Sequence, residues 1–134
     1  MTSDTTNYRN SFSLDGKVAL VTGAAGTLGA EICRGLVSVG ASVLITDIQE
    51  ETGRAVRDEL LAAGAKAEFI KHNVVDEGEW EAAIKCAVDT FGGLDIVVDP
   101  YTSSTSGTVR IVALQTCDVA VRHAVSFAFN NDGA

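Results

Sequence analysis

The 134-residue sequence lacks a long hydrophobic run, an excess of basic charge and a signal-peptide pattern. No apolar stretch approaches the length of a membrane-spanning helix, and the first ten residues are polar, without the apolar segment of a secretory signal. Lys and Arg total 10 against 18 Asp and Glu, a net charge of -8, which opposes binding to nucleic acid or to an anionic membrane. We therefore expect neither as a partner, and any affinity for phosphate must come from backbone dipoles.

Cysteine is also scarce and irregularly placed. Cys33, Cys86 and Cys117 form an odd, dispersed set without the spacing of metal ligands. We expect reduced thiols in a cytoplasmic protein, and no metal site. Apolar residues make up 46% of the chain and charged residues 21%, a composition typical of one globular domain rather than of disorder.

From Leu14 onward, strand patterns alternate with helix patterns. The predicted strands are about Lys17–Thr22, Ser42–Thr46, Ala67–Lys71 and Leu94–Val98; the predicted helices are about Thr27–Val39, Gln49–Ala63 and Glu77–Phe91. Gly40 and Gly64 stand where left-handed residues end helices, and Asp76 stands at an N-cap position. Short links between such units impose right-handed parallel crossovers. The sequence predicts an α/β fold, an open, doubly wound, Rossmann-like parallel sheet with its ligand crevice at the carboxyl ends of the strands.

A glycine-rich turn joins the first predicted strand to the first predicted helix. Gly23 lets the chain turn sharply, Gly26 leaves room for a pyrophosphate against the backbone, and Gly29 lets the helix pack close to the strand. The unpaired N–H groups at the helix start face the anion. The predicted phosphate-binding residues are Gly23, Ala25, Gly26, Thr27, Leu28 and Gly29. The alternative is a turn with a purely structural role.

Asp47 ends the second predicted strand and supplies the other half of a dinucleotide site. A carboxylate there accepts hydrogen bonds from both ribose hydroxyls of an adenosine and repels a 2′-phosphate. Since no Arg or Lys lies in the glycine turn or just after Asp47, we predict NAD as the cofactor, preferred over NADP. The alternative for Asp47 is an ordinary strand-end or helix-capping residue.

Ile48, Asn73 and Val74 complete the predicted cofactor-binding set. The Asn73 side-chain amide could hydrogen-bond the adenine edge, although Asn after a strand is also a routine turn residue. His72, beside Asn73, has no visible partner in the sequence. We predict that it is a surface histidine without a catalytic role.

The segment before the glycine turn reads Leu14-Asp15-Gly16-Lys17-Val18-Ala19-Leu20-Val21. Together with the turn, it resembles the amino-terminal signature of the short-chain dehydrogenase/reductase family. Three further features agree with the family pattern in order and spacing. They are Asp47, Asn73-Val74 (where the family usually has Asp-Val) and Phe91-Gly92-Gly93-Leu94-Asp95-Ile96-Val97-Val98. The resemblance covers about residues 14–98. It implies an NAD(P)-binding domain among oxidoreductases of alcohols, ketones and acyl thioesters.

The sequence departs from the family pattern after Val98. The family continues with Asn-Asn-Ala-Gly, a loop that lines the nicotinamide pocket, whereas this chain has Asp99-Pro100-Tyr101-Thr102. The family also uses a Ser and a Tyr-x-x-x-Lys pair, whose lysine lowers the tyrosine's pKa so that the phenol can exchange a proton with the substrate. No such pair occurs in the sequence, and its last lysine is Lys85. We therefore predict no catalytic residues and no turnover by the chain alone.

The predicted organisation is a flexible arm (1–13), a dinucleotide-binding domain (14–98) and a divergent, β-rich or irregular tail (99–134). Strand character in Val109–Leu114 and Val119–Phe129 predicts strands packed on or beside the sheet. The tail is either a local replacement that covers the fourth strand or foreign sequence from a truncation, frameshift or fusion. Three functions stay open: a dehydrogenase by descent, a binding-only module, and a truncated product that self-associates through its exposed sheet edge.

Overall fold

The computed structural model describes residues 11–100 and 110–113. Within them the strands are β1 (Val18–Val21), β2 (Ser42–Asp47), β3 (Ala67–Lys71), β4 (Ile96–Asp99) and β5 (Arg110–Ala113). The helices are α1 (Thr27–Ser38), α2 (Glu50–Ala62) and α3 (Glu77–Phe91). The predicted alternation of strand and helix is confirmed, with small displacements of the element ends.

The strands form one sheet in the order β3-β2-β1-β4-β5. The first four strands, β1 to β4, are parallel to one another, with Val18 opposite Ser42 and Ala19 opposite Ile96. The chain moves outward from β1 to β3 and then returns to the other side of β1 as β4. This reversal of strand order confirms the predicted Rossmann-like fold, and a ligand crevice belongs at the carboxyl ends of β1 and β4.

β5 runs antiparallel to β4, with Val98 opposite Ile111 and Asp99 opposite Arg110. It falls inside the strand-like run Val109–Leu114 and lies on the side of β4 away from β1. The second strand-like run, Val119–Phe129, and most of the arm lie outside the described residues.

Two apolar clusters, one on each face, hold the helices to the sheet. Because strand side chains alternate between faces, Leu20 and Leu44 pack on the α3 side, whereas Val21 and Ile45 pack on the side of α1 and α2. The α3 side includes Trp80, Ile84 and Ala87, which recur at helical spacing on one face of α3. None of the helices in the described part of the chain is long and apolar enough to cross a membrane.

The helix ends follow local sequence rules. Gly40 and Gly64 have φ of 103° and 87°, the left-handed conformation expected after a helix. Asp76 caps α3, its Oδ1 accepting a hydrogen bond from the Glu79 N–H at 3.1 Å. Because β1, β2 and β3 are parallel, the turn from each of these strands to the following helix lies at the same edge of the sheet.

The described cysteines are free thiols. Cys33 lies in the core beneath α1, where burial raises its pKa to about 12, and Cys86 is half-buried. A buried thiol with such a pKa is not a nucleophile at neutral pH. Across residues 11–100 and 110–113 there is no group of three or more His, Cys, Asp or Glu side chains that could hold a metal.

Candidate functional site

The glycine turn between β1 and α1 forms one wall of the candidate site. Gly23 has a φ of 60°, a left-handed conformation that side chains disfavour. A Cβ on Gly29 would lie 2.7 Å from the Cα of Ala24, so α1 approaches the turn closely only because Gly29 has no side chain. The geometry of the turn therefore depends on the positive φ of Gly23 at one end and on the missing side chain of Gly29 at the other.

Gly26 is the N-cap of α1 and has ordinary extended backbone, with φ of -79°. The glycine cap brings no side-chain oxygen to the helix start, and the first turn of α1 contains no acidic residue. Thr27 and Leu28, the first helical residues, are exposed. The helix start therefore carries the partial positive charge of its N–H groups and suits an anion.

Asp47, the last residue of β2, connects the glycine turn to the next helix. Its Oδ2 accepts a hydrogen bond from the Ala25 N–H at 2.9 Å, and its Oδ1 accepts one from the Gln49 N–H at 2.9 Å. A carboxylate has about four acceptor positions, so these bonds leave capacity for other donors. Asp47 thus makes the local contacts of a strand-end residue, one of the alternatives that the sequence left open, but it does not cap α2, whose N-cap is Gln49.

A cleft of about 290 Å³ opens at the carboxyl ends of the strands. Its lining consists of Thr22, Gly23, Asp47, Ile48, His72, Asn73, Val74 and Asp99. Of the predicted site residues, Gly23, Asp47, Ile48, Asn73 and Val74 line this cleft, while Ala25, Gly26, Thr27, Leu28 and Gly29 form the adjoining turn and helix start. The lining within the described chain holds carboxylates but no Lys or Arg, so an anion would depend on backbone N–H groups.

The loop from β3 to α3 closes the cleft on the far side. The Asn73 N–H donates to Glu79 Oε2 at 2.8 Å, and Asn73 Oδ1 accepts from the Val75 N–H at 3.2 Å. The Trp80 indole N–H donates to the Val74 carbonyl oxygen at 2.7 Å. The Asn73 oxygen therefore makes a local turn of the routine kind, and α3 holds the loop in place.

His72 contradicts the prediction of a surface histidine, because it is 2% exposed. Its ring packs edge-on against Trp80 with a centroid separation of 4.4 Å. Burial lowers the pKa of His72, against smaller upward effects of Glu79 and Asp76. The prediction rested on the lack of a visible partner in the sequence. In the structure β3 ends at Lys71, but one more step of the strand alternation places His72 on the same face as Ile70, beneath Trp80.

Thr22 and Asp99 line the cleft but are absent from the sequence-based set. The Thr22 hydroxyl donates to Asp99 Oδ1 at 3.1 Å, and the Thr22 N–H donates to the Val98 carbonyl oxygen at 3.0 Å. Both residues are buried. Parallel pairing of β1 with β4 brings these strand ends together, a long-range contact that could have been inferred only once β4 was placed next to β1.

Comparisons with known proteins agree with this architecture. A family model described as short chain dehydrogenase matches residues 17–126. A 2,5-dichloro-2,5-cyclohexadiene-1,4-diol dehydrogenase of Sphingobium indicum is 43% identical over 97 residues, which are 72% of this chain and 37% of the relative. The chain therefore spans well under half of the length of that curated relative.

Solved structures show the same partial overlap. A dehydrogenase/reductase from Sinorhizobium meliloti 1021 superposes with a TM-score of 0.67 at 38% identity, over 70% of this chain and 38% of that one. A short chain dehydrogenase/reductase from Burkholderia phymatum in complex with NAD superposes with a TM-score of 0.62 at 29% identity, over 64% of this chain and 31% of that one.

Proposed function

The chain belongs to the short-chain dehydrogenase/reductase family, and from that premise we propose that its cleft binds a nicotinamide dinucleotide, with NAD preferred over NADP. The observation that carries the proposal is the hydrogen bond from the Ala25 N–H to Asp47. It joins the glycine turn, which suits a phosphate, to a carboxylate that suits ribose hydroxyls. The NAD complex of the Burkholderia phymatum structure supports the same ligand class.

Each part of the site suits one part of a dinucleotide. The turn from Gly23 to Gly29 and the start of α1 would hold the pyrophosphate through N–H groups. Asp47 would accept from the adenosine ribose. Ile48, which is 61% exposed, and Val74, which is 36% exposed, would supply apolar contacts to the adenine, with the amide nitrogen of Asn73 beside them.

The preference for NAD follows from charge. A 2′-phosphate would lie near Asp47, and the described lining of the cleft offers it no cation. We expect NAD to bind at least about tenfold more tightly than NADP, about 1.4 kcal/mol. Titration calorimetry with both cofactors measures the ratio.

The matched variant is Asp47→Asn, which keeps the shape and removes the charge. It should reduce the difference between the NAD and NADP affinities, because NAD would bind less tightly and the repulsion of the NADP 2′-phosphate would be removed. Equal affinity for the two cofactors in the unsubstituted chain would contradict the role given to Asp47.

We also propose that the 134-residue chain binds the cofactor without dehydrogenase turnover. The family's chemistry on alcohols and ketones requires a proton-transfer group, and the sequence contains no Tyr-x-x-x-Lys pair. The sequence departs from the family pattern from Asp99 onward, and Asp99 lines the cleft. The chain would then be a dehydrogenase by descent that binds the dinucleotide but is inactive alone, and a binding-only module is the alternative.

A further inference from the structure

His72 is a buried side chain to which the proposed cofactor contacts give no role. It is 2% exposed, and within the described chain neither ring nitrogen has a hydrogen-bond partner. A buried polar group without a partner destabilises a protein unless another group supplies the missing bond. Because His72 also lines the cleft, its two nitrogens point to a polar group on a ligand.

The surroundings of His72 indicate which part of a ligand it meets. Its backbone N–H donates to the Asp47 carbonyl oxygen at 3.0 Å, which holds the residue next to the end of β2. Trp80 contacts the ring edge-on, at an interplanar angle of 84°. The Trp80 indole N–H donates to the Val74 carbonyl oxygen. With the exposed apolar side chains of Ile48 and Val74 on the same cleft, the region suits a flat heterocycle that has polar edges.

Resting on the proposed function, we propose that the His72 imidazole hydrogen-bonds the adenine base of the bound dinucleotide and is a positioning residue for that base. Neutral imidazole carries one N–H donor and one acceptor nitrogen, and adenine edges carry both kinds of partner. A half-turn about the Cβ–Cγ bond exchanges ring nitrogens with ring carbons without altering the outline of the ring. Either ring orientation keeps the packing on Trp80, and the proposal requires the bound base to select the orientation that offers it a nitrogen.

A phosphate is the less suitable partner. Burial lowers the pKa of His72, so that the ring is neutral at neutral pH and adds no positive charge. Asp47 and Asp99 line the same cleft and oppose an anion in this part of it. The lining of the cleft beside His72 thus favours a neutral base over a phosphate.

The first test is calorimetric titration of the full chain with NAD and with AMP, which share the adenine. His72→Phe removes both nitrogens and keeps a planar ring; we expect about threefold to tenfold weaker binding of both ligands. His72→Gln, which keeps a donor and an acceptor, should retain more affinity than His72→Phe. Lys85→Gln, on the exposed side of α3, is the control and should bind as the unsubstituted chain does.

The second test does not require a substituted His72 to fold. In a His123→Gln background, His72 is the only histidine, so its ring ¹⁵N resonances can be followed without ambiguity. Saturation with AMP should shift one ring nitrogen, whereas ribose 5-phosphate at equal concentration should not.

Unchanged ring resonances with AMP overturn the inference even if His72→Phe binds less tightly, because the role would then be structural only. Equal affinity of the unsubstituted chain and a folded His72→Phe variant also overturns it. If the unsubstituted chain binds no NAD at all, the proposed function fails, and this inference fails with it.

Discussion

Single residues of the glycine turn have separable tasks. Gly29 is needed for packing, since a Cβ there would lie 2.7 Å from the Cα of Ala24. Gly26 has a backbone conformation open to any residue, with φ of -79°. Its missing side chain therefore matters for the space in front of α1 rather than for the fold of the turn.

Gly26→Val should abolish dinucleotide binding and leave the fold intact. A branched side chain would fill the volume in front of the helix start, where the pyrophosphate is proposed to lie. Calorimetry measures the binding, and circular dichroism verifies that the variant is folded. Retained binding by a folded Gly26→Val protein would mean that the turn is only structural.

His72 should make the stability of the chain depend on pH near neutrality. Because its pKa is lowered in the folded state, the unfolded chain takes up a proton first, near pH 6.5. The free energy of unfolding should be highest above about pH 6.5 and should fall below it, by at most about 1.4 kcal/mol per pH unit. Urea denaturation at several pH values between 7.5 and 5.5 measures the slope.

The control for this prediction is His72→Gln, which cannot titrate. Glu79 and Asp76 act on the His72 pKa from α3, and Asp47 and Asp99 lie on the same cleft. An identical slope in the His72→Gln variant would assign the pH dependence to another group.

At the scale of elements, backbone N–H groups of the glycine turn hold the turn to the end of β2. The Ala24 N–H donates to the Thr46 carbonyl oxygen at 3.0 Å, and the Ala25 N–H donates to Asp47. These bonds fix the glycine turn, which is proposed to bind phosphate, relative to the Asp47 carboxylate, which is proposed to bind the ribose. The close packing of α1 on the turn is therefore part of the geometry of the site.

Two glycines of α1 allow a matched test of this packing. Gly29→Ala should lower the free energy of unfolding by roughly 1–3 kcal/mol, because the new Cβ meets backbone atoms that cannot rotate away. Gly35→Ala, where a Cβ would meet nothing within 4 Å, should raise it by roughly 0.5–1 kcal/mol through helix propensity. Urea unfolding of both variants measures the difference, and equal effects would contradict the packing role of Gly29.

At the scale of the whole molecule, the chain presents a cofactor cleft without the proton-transfer residues of its family. Protonation of the alkoxide formed by hydride transfer typically contributes two to four orders of magnitude in rate. Tyr101 has Thr105 rather than a lysine at the required spacing. Both residues lie outside the described part of the structure.

We expect NAD binding but no measurable NADH production from the purified 134-residue chain. A steady-state assay against secondary alcohols, hydroxysteroids and 3-oxoacyl thioesters, each in its reactive direction, tests this. Tyr101→Phe is the matched control. Turnover that disappears in Tyr101→Phe would contradict the prediction, because it would show a proton-transfer site built by the tail.

The sequence alone was sufficient for the elements, and five of its predicted site residues line the cleft. Glycines at helix ends, the Asp76 cap and the alternation of strand and helix are local signals, each encoded within a few neighbouring residues. The glycine turn and Asp47 follow from the same kind of signal. Their roles in binding stay predictions, but the cleft-lining positions of Gly23 and Asp47 agree with them.

Only the tertiary structure decided which strand ends meet. The burial of His72 against Trp80, the Thr22–Asp99 hydrogen bond and the antiparallel pairing of β5 with β4 all join parts of the chain that a local pattern treats separately. The exposure of a strand-end side chain depends on the helix that covers it, and a hydrogen-bond partner depends on strand order. Such contacts arise from the packing of the whole sheet, and no window of sequence contains them.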